Sequence, residues 1–269
     1  MLRQAWLFGA FLLICGCGGA AHDRYFAKDR QANGLVIILP GIEGESSLNH
    51  DIRQDLLQAG VKAAMPIYHW GRPVPLAGLL LNQVDFIGNR IEASKISDMI
   101  KRYQDEHPGR PVHLVGHSGS GGMAVFAAEG LPDGRKVDGI ILLSASIASS
   151  YDLTKALQHS RHGIVNFYNT SDVALLGLGT TIVGNVDGWR GPSAGLIGFD
   201  TPSPSSHEDK QQAYARLYQV RVQSYMTGEG SAHAGSTGIS FVWLYVSPWI
   251  SAGSWPASEQ QASVGSSRE

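Results

Sequence analysis

Val112-His-Leu-Val-Gly-His-Ser118-Gly-Ser-Gly-Gly122 is the stretch on which the reading of this chain turns. Residues 112–115 are apolar enough for a buried strand, and residues 122–129 are small and apolar enough for a tightly packed helix. Ser118 falls between the two. A sharp strand-to-helix turn forces its central residue into a strained backbone conformation, so the positions two before and two after must carry almost no side chain. Gly116 meets that demand fully and Ser120 approximately, while Gly121 and Gly122 allow the helix to lie close to the sheet. The helix N-terminus would aim backbone N–H groups and a partial positive charge at the serine.

Outward from this turn, apolar strand candidates alternate with amphipathic helices, the pattern of a parallel sheet covered on both faces. Residues 35–39 form a buried run stopped by Pro40-Gly41. Residues 46–60 read as a helix ending at Gly60, residues 61–70 as a strand, and residues 84–107 as a long helix closed by Pro108-Gly109. Beyond the turn, strands are expected at 137–143, 163–168 and 220–225. Helices are expected at 150–160, 205–218 (with Ser205 and Glu208 in capping-box positions) and 237–249.

The segment 114–122 and this order of elements resemble the α/β-hydrolase superfamily, and more particularly its serine esterases and lipases. The resemblance implies an α/β-hydrolase fold, mostly parallel with helices on both faces. Only residues 144–162 are available between the two strands where many members insert a cap, so no large cap domain is expected. Ser120 in place of the usual second glycine departs from the pattern and opens a register in which Ser120 is the nucleophile. Ser118 is preferred because it stands just past the end of the apolar strand.

A serine hydroxyl is a weak nucleophile and needs a base that is itself oriented by a carboxylate. The superfamily's chain order is serine, acid, histidine. By that resemblance Asp172, just after the 163–168 strand, is the acid, with Asp187, Asp200 and Asp152 as alternatives. His233, in the small-residue loop Gly230-Ser-Ala-His-Ala-Gly235, is the base, with His207 as the alternative. The oxyanion hole would take one backbone N–H from Gly119 and one from Ile42, in the loop Pro40-Gly-Ile-Glu-Gly44. The expected activity is hydrolysis of a small-molecule carboxyl ester through an acyl-enzyme. An acyltransferase with the same triad and a non-catalytic, lipid-anchored binding protein are the competing readings. Apolar residues at 175–199 either line an acyl pocket or form satellite core under a long loop.

The N-terminus speaks to location. Arg3 precedes an apolar run over residues 5–14, too short to span a bilayer comfortably but the length of a signal-peptide core. The run ends in Ile14-Cys-Gly-Cys17, which resembles a bacterial lipobox. The expectation is a signal peptide over 1–16, lipidation at Cys17, a polar tether over 17–34, a hydrolase domain over 35–250 and a disordered tail over 251–269. An ordinary secretory signal cut near Ala20 or Ala21, giving a secreted or periplasmic protein, is the alternative. The protein is expected in the cell envelope, on the membrane through its anchor.

Composition narrows the rest. A chain of 269 residues with a formal net charge of −2 holds one large domain and has no basic excess for a nucleic acid. Both cysteines precede residue 20, so the body offers no thiol for a disulfide, a metal or nucleophilic chemistry. Neither a metal-ligand cluster nor a GxxxxGK[ST] phosphate loop is apparent, and no cofactor is implied.

Overall fold

The structure is a computed structural model and describes residues 24–70, 85–172, 184–227 and 233–256. Five strands, β1 (Leu35–Leu39), β2 (Val112–His117), β3 (Gly139–Leu143), β4 (Ile164–Tyr168) and β5 (Leu217–Arg221), pair in chain order as a parallel sheet. The helices that cover it are α1 (Ser47–Gln58), α2 (Phe86–Glu106), α3 (Ser120–Glu129), α4 (Thr154–Gln158) and α5 (Glu208–Tyr214). This is the α/β-hydrolase fold expected from the sequence. Between β3 and β4 the chain makes only the five-residue α4, so no cap domain is inserted there.

Strand residues alternate between the two faces, as the period of two requires. Leu35, Ile37, Leu39, Leu114, Ile140 and Leu142 point to the side packed by α2 and α3. Val36, Ile38, Val115, Ile141, Leu143 and Phe167 point to the other side, against Ile52 and Leu56 of α1 and the C-terminal helical segments. Sequence runs without polar alternation thus become strands buried on both faces.

The expected strand over 61–70 is reduced to two parallel bridges, Leu35 to Ala64 and Ile38 to Ile67, on the free side of β1. The chain therefore moves outward after β1 and then returns across it to form β2. That reversal is a topological switch point, and the crevice beyond the carboxyl ends of β1 and β2 is where such sheets bind ligands. Residues 40–44 and Ser118 leave those two ends.

Five further details differ from the sequence reading. Residues 24–34, expected as tether, are packed: the Tyr25 ring lies under the Arg53 guanidinium, its carbonyl accepts from Met65 N–H, and Phe26 joins the core. The helix expected over 205–218 begins at Glu208, because Ser205 bonds Ser203 instead of capping. Pairing of Leu217 with Ile164 then starts β5 earlier than expected. The single final helix is interrupted by a π-helical turn, Val242–Val246, just before Pro248. Proline lacks an N–H and its ring would collide with the carbonyl four residues back, so the ladder widens there. Finally, residues 251–256 are not tail. Trp255 is buried, stacks edge-on against Trp249 at 4.8 Å and Tyr218 at 5.5 Å, and donates its indole N–H to the Trp249 carbonyl. A Cβ at Gly139 would stand 2.4 Å from that indole, so the glycine makes the docking possible. The expected signal peptide, Cys17 and residues 257–269 lie outside the described residues, as do Leu175, Leu176, Leu178, Ile182 and Val183.

Candidate active site

Ser118 has φ of 54°, a left-handed conformation that only a well-supported non-glycine residue holds. The support is visible. Its N–H donates to Leu143 O at 3.0 Å, and its carbonyl accepts from Gly121 N at 3.0 Å and Ser146 N at 2.9 Å. A Cβ at Gly116 would lie 2.5 Å from Ser120 O, one at Gly121 2.4 Å from Ala145 Cβ, and one at Gly122 2.2 Å from Val186 Cγ1. The small residues flanking the serine are therefore steric necessities, as the sequence suggested.

Ser120, the departure from the glycine pattern, is accommodated because its hydroxyl replaces lost space with hydrogen bonds. Its one hydroxyl hydrogen is shared between Leu39 O and His117 O, and its oxygen accepts from His117 N at 3.0 Å. It is wholly buried, whereas Ser118 keeps a 9% exposed surface. Ser120 thus has its hydroxyl committed to the backbone, while Ser118 stands at the end of β2 beside the crevice.

His233 Nδ1 donates to Asp172 Oδ2 at 2.5 Å. Asp172 is buried just beyond β4, its backbone fixed by Asn169 O at 3.0 Å. The His233 loop is held from below by Ser236, whose hydroxyl is 3.2 Å from that of Ser144 at the end of β3. The His233 ring packs 5.0 Å from the ring of His117, the residue immediately before Ser118. Serine, histidine and carboxylate thus gather at the carboxyl edge of the sheet. His233 has no hydrogen bond to Ser118 Oγ among the described residues, and its ring bonds Asp172 alone. Catalytic hydrogen bonds are commonly long in a free enzyme and tighten when substrate is bound.

The alternatives go elsewhere. Asp187 accepts from Ala148 N at 3.2 Å and serves its own loop, its carboxyl raised by burial. Asp152 bonds Thr154 and Lys210, and Asp200 is exposed. His207 stands exposed at the N-terminus of α5. Of the 175–199 residues that are described, Val186 and Phe199 belong to the core while Trp189 and Ile197 are exposed.

Two groups beside the site were missed by the sequence reading. His117 is fully buried, and burial pulls its pKa below the ordinary value. Glu43, in the loop after β1, reaches to 3.9 Å from His117 Nδ1. Burial would raise the Glu43 carboxyl, but the neighbouring His117 more than offsets this and leaves it below its ordinary value. A polar residue in the position before the serine was the available signal.

Ile42 packs partly buried against the core, and Gly119 opens α3 directly after Ser118. Among the described residues no group of three His, Cys, Asp or Glu side chains is placed to hold a metal. None of the described helices is long and apolar enough to cross a membrane.

No family profile matches the chain, and no curated protein matches it. Solved structures do resemble it. The ydeN gene product from B. subtilis is 18% identical, with 81% of this chain and 100% of that one covered at a TM-score of 0.47. A PytH variant is 14% identical over 81% of this chain and 98% of its own, with a TM-score of 0.41. The RedJ thioesterase from the prodiginine biosynthetic pathway in Streptomyces coelicolor is 13% identical over 77% and 88%, with a TM-score of 0.34.

Proposed function

We propose that this protein is a serine hydrolase that cleaves a small-molecule carboxyl ester through an acyl-enzyme on Ser118. The observation that carries the reading is the pairing of a left-handed Ser118 between β2 and α3 with the His233–Asp172 hydrogen bond at the same sheet edge.

In this reaction Ser118 Oγ attacks the ester carbonyl carbon while His233 Nε2 takes the hydroxyl proton. Asp172 holds Nδ1 protonated, which leaves Nε2 free to accept, and it stabilises the imidazolium that forms. The carbonyl oxygen becomes an oxyanion facing the backbone N–H groups of Gly119 and Ile42, each such donor being worth about 3 kcal/mol to the transition state. Collapse breaks the C–O bond, and the leaving alcohol carries away the proton from His233. Water then attacks the acyl carbon, His233 takes its proton, and Ser118 departs as a hydroxyl with release of the acid. The chain needs no cofactor for these steps.

The reading extends to location: export, acylation of Cys17 and residence on a membrane of the cell envelope, with Cys17→Ser expected to move the protein to the soluble fraction. The catalytic test is steady-state and burst hydrolysis of short and medium p-nitrophenyl esters by the parent, Ser118→Ala, Ser120→Ala and His233→Ala. Loss of turnover in Ser118→Ala and His233→Ala with retention in Ser120→Ala is the expected pattern. Absence of turnover in the parent would remove the reading.

A further inference from the structure

His117 occupies an expensive position for an imidazole. It is 1% exposed, neither ring nitrogen closes a hydrogen bond, and it fills the last place of β2, beneath the crevice. An apolar side chain of similar size would avoid the cost of burying two unpaired polar atoms. The groups around it show what the ring can do. On one side Glu43 Oε1 lies 3.9 Å from Nδ1, and on the other the ring packs at 5.0 Å against His233, whose backbone also faces it. Glu43 belongs to the loop after β1, and its carboxylate folds back over Gly41.

Resting on the function proposed above, we propose that His117 is a positioning residue, with Glu43 as its carboxylate partner, tying the 40–44 loop to the His233 loop. One loop carries an oxyanion donor and the other the base. The two are far apart in sequence, one directly after β1 and the other beyond β5. His117 sits on a rigid strand end between them, one residue from the nucleophile. A contraction of about 1 Å closes the Glu43–His117 gap to a charge-assisted hydrogen bond. That closure fixes the two loops in register with Ser118 when an ester is bound, without either side chain touching the reacting atoms. Titratable groups facing the His117 ring are Glu43 and His233. The effect belongs to kcat, because the ground-state ester does not depend on the alignment, whereas a displacement of about 1 Å in a reacting geometry costs roughly a hundredfold.

The test compares the full chain with Glu43→Gln, His117→Phe and His117→Asn. It reads kcat and KM on p-nitrophenyl butyrate and the low-field proton resonance of His233 Nδ1–H. Expected are a fall in kcat of about ten- to a hundredfold in His117→Phe, a smaller fall in Glu43→Gln and partial recovery in His117→Asn, whose amide still donates. KM stays near the parent value, and the His233 resonance broadens in His117→Phe. Unchanged kcat and resonance in Glu43→Gln and His117→Phe overturn the proposal, as does a change confined to KM. Should His117→Phe fail to fold, Glu43→Gln on the solvent-reachable loop decides alone. An inactive parent that also resists a fluorophosphonate would instead defeat the hydrolase reading, and this inference with it.

Discussion

Two serines leave adjacent strands in the same unusual conformation. Ser118, after β2, has φ of 54°, and Ser144, after β3, has φ of 48°. Each N–H donates to the end of the next strand, Ser118 to Leu143 O and Ser144 to Phe167 O, both at 3.0 Å. Their surroundings then diverge. Gly195 presses on the backbone of Ser144 so closely that a Cβ there would stand 2.3 Å from it, and the Ser144 hydroxyl is spent on Ser236 under the His233 loop. Ser118 keeps a little exposed surface where Ser144 has none among the described residues. A strained backbone therefore marks a place where the chain turns sharply, and only access and a neighbouring base make that place reactive. In the proposed reading Ser118 carries the chemistry, while Ser144 is bonded to Ser236 near His233.

The largest expected effect separates the pair outright. Ser118→Ala should lower kcat by about 10⁵-fold or more, whereas Ser144→Ala should leave an active enzyme; equal losses would erase the distinction. Next is Asp172→Asn, which frees His233 to adopt the wrong tautomer and should cost about 10⁴ in kcat with KM retained. Asp187→Asn measured beside it should keep its turnover, since Asp187 serves Ala148.

Ser144→Ala has a smaller and different signature. Loss of one buried hydroxyl pair should lower stability by about 1 kcal/mol in urea unfolding. Turnover should fall by less than about tenfold, through a looser His233 loop.

The comparison repeats along β2 itself, where His113 and His117 are both buried and only the second lies at the crevice. Burial pushes the His113 pKa from 6.5 down to about 3. The folded state therefore favours the neutral ring, while the unfolded chain takes up a proton once pH drops below 6.5. The stability from this source is complete above 6.5 and drains away as pH falls toward about 3. Urea midpoints taken between pH 7 and 4 should show this slope, and His113→Leu should flatten it.

How far the sequence carried the reading depends on range. The elbow was legible because its constraints are local: Gly116, Gly121 and Gly122 are demanded by contacts within one turn or with the adjoining strand. Asp172 and His233 were legible through chain order, which the fold converts into proximity. The packed ends were not. Trp255 sits in a stretch rich in Ser and Gln, and its anchorage depends on Gly139 and Tyr218, more than thirty residues away. Tyr25 likewise depends on Arg53. Ser120 read as an imperfect glycine, and only the carbonyls of Leu39 and His117 show how a hydroxyl is accepted there. His117 escaped notice because a single buried histidine carries no periodic signal, and its partners come from two distant loops.

Covalent labelling tests the central assignment most directly. The full chain would be treated with a fluorophosphonate, digested, and the adduct located by fragmentation, beside His233→Ala. A phosphonyl group on Ser118, greatly slowed in His233→Ala and absent from Ser120 and Ser144, is the predicted result. An adduct on Ser120 or Ser144, or none on a folded parent, would contradict the account.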